Sequence, residues 1–143
     1  MPEFIGTSGG ERSIFRESAN SILAVDTTTA SAVFVDLLTV AITVEAGFIL
    51  IESSIGASLS VNAGTIFFRI TVDGVAQAGV SNSFTIIGDE HASAFCLRVA
   101  VAAGLRTVKL QWRVASVLST ARIRPVTQPD AEHASLVVSE VTA

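Results

Sequence analysis

The residues best equipped for chemistry in this chain are two histidines in acidic settings, a lone cysteine and a basic strand. His91 follows Asp89 and Glu90, and His133 follows Asp130 and Glu132. Imidazole beside carboxylates is a donor set that suits divalent metals. Neither spacing matches a metal-binding loop, and both groups fall in stretches that read as loops, where charge is ordinary. Cys96 is the only cysteine, so an intrachain disulfide is excluded. It sits in the apolar run Phe95-Cys96-Leu97, which predicts a small buried thiol and not a reactive thiolate. Serines are plentiful, but no nucleophile-elbow motif is present, and no glycine loop leads into a helix to cradle phosphate. The expectation is a chain that is not an enzyme, with no catalytic residues, no metal and no cofactor.

Recognition chemistry is the alternative. Trp112 would suit a sugar platform if exposed, but its alternation places it with Val108, Leu110 and Val114, which predicts a core position. The opposite face of the same strand carries Lys109, Gln111 and Arg113, a candidate polar binding face. Arg122 and Arg124 flank Ile123 on a strand expected nearby and could extend it.

Positioning these side chains requires strands, since no stretch keeps a helical period over three turns. Ile66, Phe68, Ile70 and Val72 alternate with Thr65, Phe67, Arg69 and Thr71, ending at the turn pair Asp73-Gly74. Phe95 to Ala102 alternates likewise, Ala103-Gly104 turns the chain, and Thr107 to Val114 follows. Val33 to Leu38 and Val40 to Glu45 read as strands, and Leu136 to Val141 as the last. Gly47 to Glu52 is apolar on both faces, which predicts a strand covered on both sides. With shorter candidates at 22–26, 58–62, 82–87 and 121–126, the expectation is eight to ten antiparallel strands in a jelly-roll sandwich spanning 22–143. Residues 1–21, with Gly6-Thr7-Ser8-Gly9-Gly10 and isolated Ile14 and Phe15, read as a flexible N-terminal arm.

Composition narrows the function. Half of the 143 residues are hydrophobic and 15% charged, an apolar balance for one domain. A membrane span is not the reason. The region from Ala32 to Gly47 is interrupted by Asp36, Thr39, Thr43 and Glu45, well short of the roughly 18 uninterrupted apolar residues required. Apolar surface buried against copies of the same chain is the better account. Ile14, Phe15, Phe48, Leu50 and Phe67 are the candidate oligomer-interface residues. Residues 1–97 hold three basic and ten acidic side chains, and 98–143 hold six and three, although the net charge is only −4. Such an asymmetry could pair subunits or interleave within one domain. No basic run with interleaved aromatics points to nucleic acid. No basic segment followed by an apolar run opens the chain, so synthesis in a cytoplasm without a signal peptide is expected.

Three segments together resemble a known group. Gly104-Leu105-Arg106-Thr107-Val108-Lys109-Leu110-Gln111-Trp112-Arg113 is similar to a strand of many phage and bacterial jelly-roll proteins of the C1q and tumour-necrosis-factor fold group. Arg69-Ile70-Thr71-Val72-Asp73-Gly74 resembles the hairpin that precedes it there, and Glu132 to Val141 their terminal strand. Arg106 stands where histidine is usual, and the chain has no tyrosine. The resemblance covers about residues 30–141. It implies a C1q/TNF-like jelly roll that forms homotrimers around an apolar axis and serves as a structural component, such as a virion capsid decoration or a fibre head. A capsid or other surface protein is then the expected further partner, and the virion or a surface particle the expected site of assembly. The alternative is a carbohydrate- or receptor-binding jelly-roll module on a phage or bacterial surface.

Overall fold

The computed structural model describes residues 14–45 and 47–142 of the chain, with the side chains of 18–45 and 47–141. These form ten strands: β1 (Ile14–Ile22), β2 (Thr27–Thr29), β3 (Val35–Val44), β4 (Gly47–Leu59), β5 (Gly64–Val72), β6 (Val75–Phe84), β7 (Glu90–Val101), β8 (Gly104–Val114), β9 (Ala121–Ile123) and β10 (His133–Thr142). No helix occurs among the described residues.

The strands build a jelly-roll sandwich. A four-stranded sheet has the order β3-β8-β5-β6. In the facing sheet β10 and β7 flank the long β4, β1 lies outside β10, and β9 with β2 continues beside the end of β4. Every described pairing is antiparallel. Strands next to one another in sequence mostly lie in different sheets, so most connections cross the sandwich and close a common core.

Period-two alternation decides what fills that core. Val108, Leu110, Trp112 and Val114 of β8 meet Ile66, Phe68 and Ile70 of β5 and Val40 and Ile42 of β3 from one side. Ile49, Ile51 and Ile55 of β4 and Leu136 and Val138 of β10 come from the other. Trp112 is 1% exposed and stacks on Phe68 with ring centroids 6.4 Å apart. The tryptophan is therefore core, as its alternation predicts.

Turn chemistry sets the register of the β5–β6 hairpin. Asp73 and Gly74 have φ of 49° and 84°, the left-handed pair that a two-residue type I′ turn needs. Asp73 does more than turn the chain. Its carboxylate accepts the Thr107 N–H at 2.9 Å and pairs with the Arg106 guanidinium at 2.8 Å. Two of the three segments that carry the resemblance thus meet in space, and Arg106 has a role, anchoring the hairpin to β8.

Two expectations are corrected here. The sheet begins at Ile14, inside the segment read as a flexible arm, and residues 1–13 lie outside the described residues. β10 is bonded to β4 on one side only, and β1 satisfies the main-chain groups on its other edge. A bulge between Phe15 and Glu17 interrupts the alternation that would have marked this strand. Second, the protomer alone covers the apolar start of β4 on one side only. Ile49 and Ile51 are fully buried, while Phe48 and Leu50 point away from the core and remain partly exposed.

Candidate functional site

The sandwich presents two broad outer faces of different chemistry. On the four-stranded sheet, burying Val108, Leu110 and Trp112 turns Thr107, Lys109, Gln111 and Arg113 outward, because successive residues of a strand alternate sides. Register then supplies their neighbours: Asp36 of β3 and Arg69 of β5 both lie opposite Gln111, and Phe67 of β5 lies opposite Arg113. A hydrogen-bonded ladder results. Lys109 Nζ donates to Asp36 Oδ2 at 2.8 Å, Gln111 Nε2 to Asp36 Oδ1 at 2.7 Å, and Arg69 Nε to Gln111 Oε1 at 2.8 Å. The bonds from Lys109 and then Gln111 hold the Asp36 carboxyl below its ordinary range.

Beside the ladder, cations stack on rings. The Arg69 guanidinium lies 4.1 Å from the Phe34 ring centroid, and that of Arg113 lies 3.9 Å from Phe67 and 5.3 Å from Phe34. A groove of about 380 Å³ opens over β5 and β6, with Phe34, Phe67, Arg69, Gly79 and Ser81 among its walls.

The outer face of the larger sheet is smoother. On β7 it carries Ala92, Ala94, Cys96, Arg98 and Ala100, all exposed. Phe48, Leu50, Glu52 and Ser54 of β4 lie beside them, and Ser135 and Val137 of β10 continue the surface. The guanidinium of Arg98 covers the Phe48 ring at 3.9 Å. Along these rows Glu52 and Arg98 are the charged side chains.

The predicted site residues separate accordingly. Phe48 and Leu50 share the smooth face, but Phe67 is on the opposite sheet, packed on Arg113 of the predicted polar face. The strands that carry these residues pair in different sheets, which strand patterns do not reveal. Ile14 and Phe15 have their main chain in β1, opposite Thr142 and Val141, and their side chains lie outside the described residues. Arg122 and Arg124 do not extend the Lys109 face, because β9 belongs to the other sheet. Arg124 instead forks onto Glu132, which is fully buried, with its Nε 2.7 Å from Oε1 and Nη2 3.4 Å from Oε2. That pairing keeps Arg124 protonated still more firmly than usual.

Cys96 is exposed, contrary to the expected buried thiol, since Phe95 and Leu97 take the inward positions. Both histidines stand in strands and not in loops. His91 of β7 packs on Phe84 with centroids 4.2 Å apart, and His133 of β10 bonds the Ser54 hydroxyl through Nε2 at 2.8 Å. Among the described residues no three His, Cys, Asp or Glu side chains cluster as a metal site. The residues that sequence reasoning missed are Phe34, Asp36 and Arg69. Each reads as an ordinary alternating position until register puts it beside Gln111 and Arg113.

No protein-family model matches the sequence, and no curated protein matches it. Solved structures do. The chain is similar to one in the structure of the infectious bursal disease virus Gt strain, with a TM-score of 0.53 and 12% identity over 91% of this chain and 36% of that one. The corresponding figures for the Gx strain are 0.51 and 13%, over 88% of this chain and 38% of that one. Eiger TNF from S. frugiperda is similar over 69% of this chain and 62% of its own, with a TM-score of 0.43 and 13% identity. This chain therefore spans little more than a third of the viral chains. At such identities the viral likeness bears on the fold, and it extends over nearly the whole sandwich.

Proposed function

We propose that this chain is a structural, non-catalytic jelly-roll protein that assembles with copies of itself, as a homotrimer, in a virion, where it serves as a capsid decoration or fibre-head component. One observation carries the reading: among the described residues, the outer face of β10-β4-β7 is built mostly of small and apolar residues with few charges. Ala92, Ala94, Cys96 and Ala100 leave β7 flat, while Phe48 and Leu50 stand partly exposed beside it. A sheet face of this kind lets a second sheet approach closely and rewards it. Fully burying a Phe or Leu contributes roughly 1.5–3 kcal/mol, and the exposed remainder of each is available at an interface. Interfaces that persist resemble a domain core cut in half, apolar and poor in charge. The likeness of the sandwich to chains of a virus structure supports the virion setting.

The test is the solution mass of the full chain by sedimentation at micromolar concentration, beside an Ala94→Arg variant. Ala94 is exposed in the protomer, so the new side chain has room in the monomer and clashes only in an assembly. A trimer that the variant dissociates is the expected result. A wild-type monomer, or an assembly indifferent to the substitution, refutes the reading.

A further inference from the structure

We propose that the outer face of the β3-β8-β5-β6 sheet binds an acidic saccharide, its carboxylate or sulfate held by Arg69 and Arg113 and its ring seated in the groove over β5 and β6. The face is opposite to the one proposed for self-association, so the inference stands independently of that assembly.

Charge is the first argument. The chain is acidic, with a net charge of −4, yet this patch carries Lys109, Arg69 and Arg113 against the single carboxylate of Asp36. Asp36 is already engaged by Lys109 and Gln111. Among the described residues neither Arg69 nor Arg113 enters an ion pair. Two guanidinium groups on neighbouring rows of adjacent strands, without a protein anion, are complementary to a ligand anion, and the planar fork suits carboxylate and sulfate oxygens.

Preorganisation is the second. Arg69 is held through Nε by Gln111, which is held in turn by Asp36, and its guanidinium rests over the Phe34 ring. Its two Nη groups remain as donors. Arg113 is fixed on the Phe67 ring and makes only a long 3.4 Å bond to the Val114 carbonyl. Fixing these long side chains before a ligand arrives removes much of the entropy cost of binding.

Space is the third. Gly79 of β6 lies opposite Arg69, and Ser81 opposite Phe67. The missing side chain at Gly79 opens the floor of the groove, and the volume of about 380 Å³ is at the lower end of small-molecule sites. The groove lies between an aromatic wall for the C–H face of a sugar ring and a hydroxyl at Ser81. Two free cations are too few for a nucleic-acid track. The position of Gly79 is not conformationally demanding: a Cβ there would lie 3.4 Å from the Phe68 carbonyl oxygen, an ordinary contact.

The experiment is an array of carboxylated, sulfated and neutral saccharides probed with the full chain, followed by calorimetric titration of the strongest acidic member. Preferential retention of acidic members is expected, weakening as salt is raised. Gly79→Leu, which fills the groove and leaves both arginines in place, is expected to weaken binding at least tenfold. Arg113→Ala is expected to do the same. Arg113→Lys, which keeps the charge and most of the packing, is expected to weaken it several-fold through loss of the fork. Arg122→Ala, exposed on β9 of the other sheet and outside the proposed subunit contact, is expected to leave affinity unchanged. The proposal is overturned if no acidic member is retained above its neutral analogue, or if Gly79→Leu and Arg113→Lys both bind as wild type. Equal or tighter binding of a poly-glutamate peptide also overturns it, since the face would then read charge without a sugar.

Discussion

Arg124→Ala tests whether the connection from β9 to β10 is held by one buried ion pair. Glu132 has no exposed surface, and both of its carboxylate oxygens accept from the Arg124 guanidinium, whose side chain is 28% exposed. Between the two residues the chain turns on the Gln128 N–H to the Arg124 carbonyl at 2.7 Å and the Glu132 N–H to the Gln128 carbonyl at 3.0 Å. Removing the arginine leaves a carboxylate buried with its charge. Breaking such a pair costs about 3–5 kcal/mol. Partial exposure of Arg124 lets water replace some of the lost contacts, so the lower end, about 3 kcal/mol, applies. Against a total stability of about 5–15 kcal/mol that is severe, and at about 3 °C per kcal/mol for this length it lowers the melting temperature by about 9 °C.

Urea unfolding followed through Trp112, the sole and fully buried tryptophan, is the appropriate assay. Glu132→Gln, which removes the charge and keeps the shape, is expected to cost less. The double variant is expected to be no less stable than Arg124→Ala alone, because the buried charge that made the single change costly is gone. An Arg124→Ala loss below about 1 kcal/mol would refute the reasoning, as would single-variant costs that simply add.

Four further outcomes follow from the same geometry. Asp36→Asn is expected to cost about 0.5 kcal/mol at neutral pH, a value typical of exposed pairs. Because the Asp36 carboxyl is held low when folded, its contribution is present above about pH 4 and disappears as pH falls through that lowered value. Denaturation of both proteins across that range checks the sign, which is wrong if the gap widens in acid. Asp73→Ala removes the Arg106 and Thr107 contacts and places alanine in the left-handed region, with an expected cost of about 1–3 kcal/mol by thermal unfolding. Gly56→Ala drives a Cβ into the Ala131 carbonyl oxygen, and an overpacking cost of about 1–3 kcal/mol is expected from the same measurement. Finally, Cys96 lies exposed on the smooth face, so a thiol reagent is expected to label it rapidly in Ala94→Arg and slowly in the wild-type assembly. Equal rates would place the subunit contact elsewhere.

The sequence by itself determined the class of fold and much of its core. Alternation at Ile66 to Val72 and Val108 to Val114 names the inward residues directly, because side-chain direction along a strand has a period of two and needs no partner to express it. The Asp73-Gly74 turn is equally local, since only residues tolerant of positive φ can make it. Where alternation is interrupted, legibility ends. The bulge at Phe15 and Glu17 concealed β1, and the apolar but small row from Ala92 to Ala100 concealed a face that Cys96 shares.

Register and sheet membership belong to the tertiary structure alone. They depend on which main-chain edges meet, and no residue type encodes that at a distance of 42 or 75 positions, the separations of Arg69 and Asp36 from Gln111. Phe67 moved from an expected interface with Phe48 and Leu50 to the arginine cluster for that reason. Arg124 left the Lys109 face for the same one. The sandwich decides which faces are opposite, and with them which residues can act together.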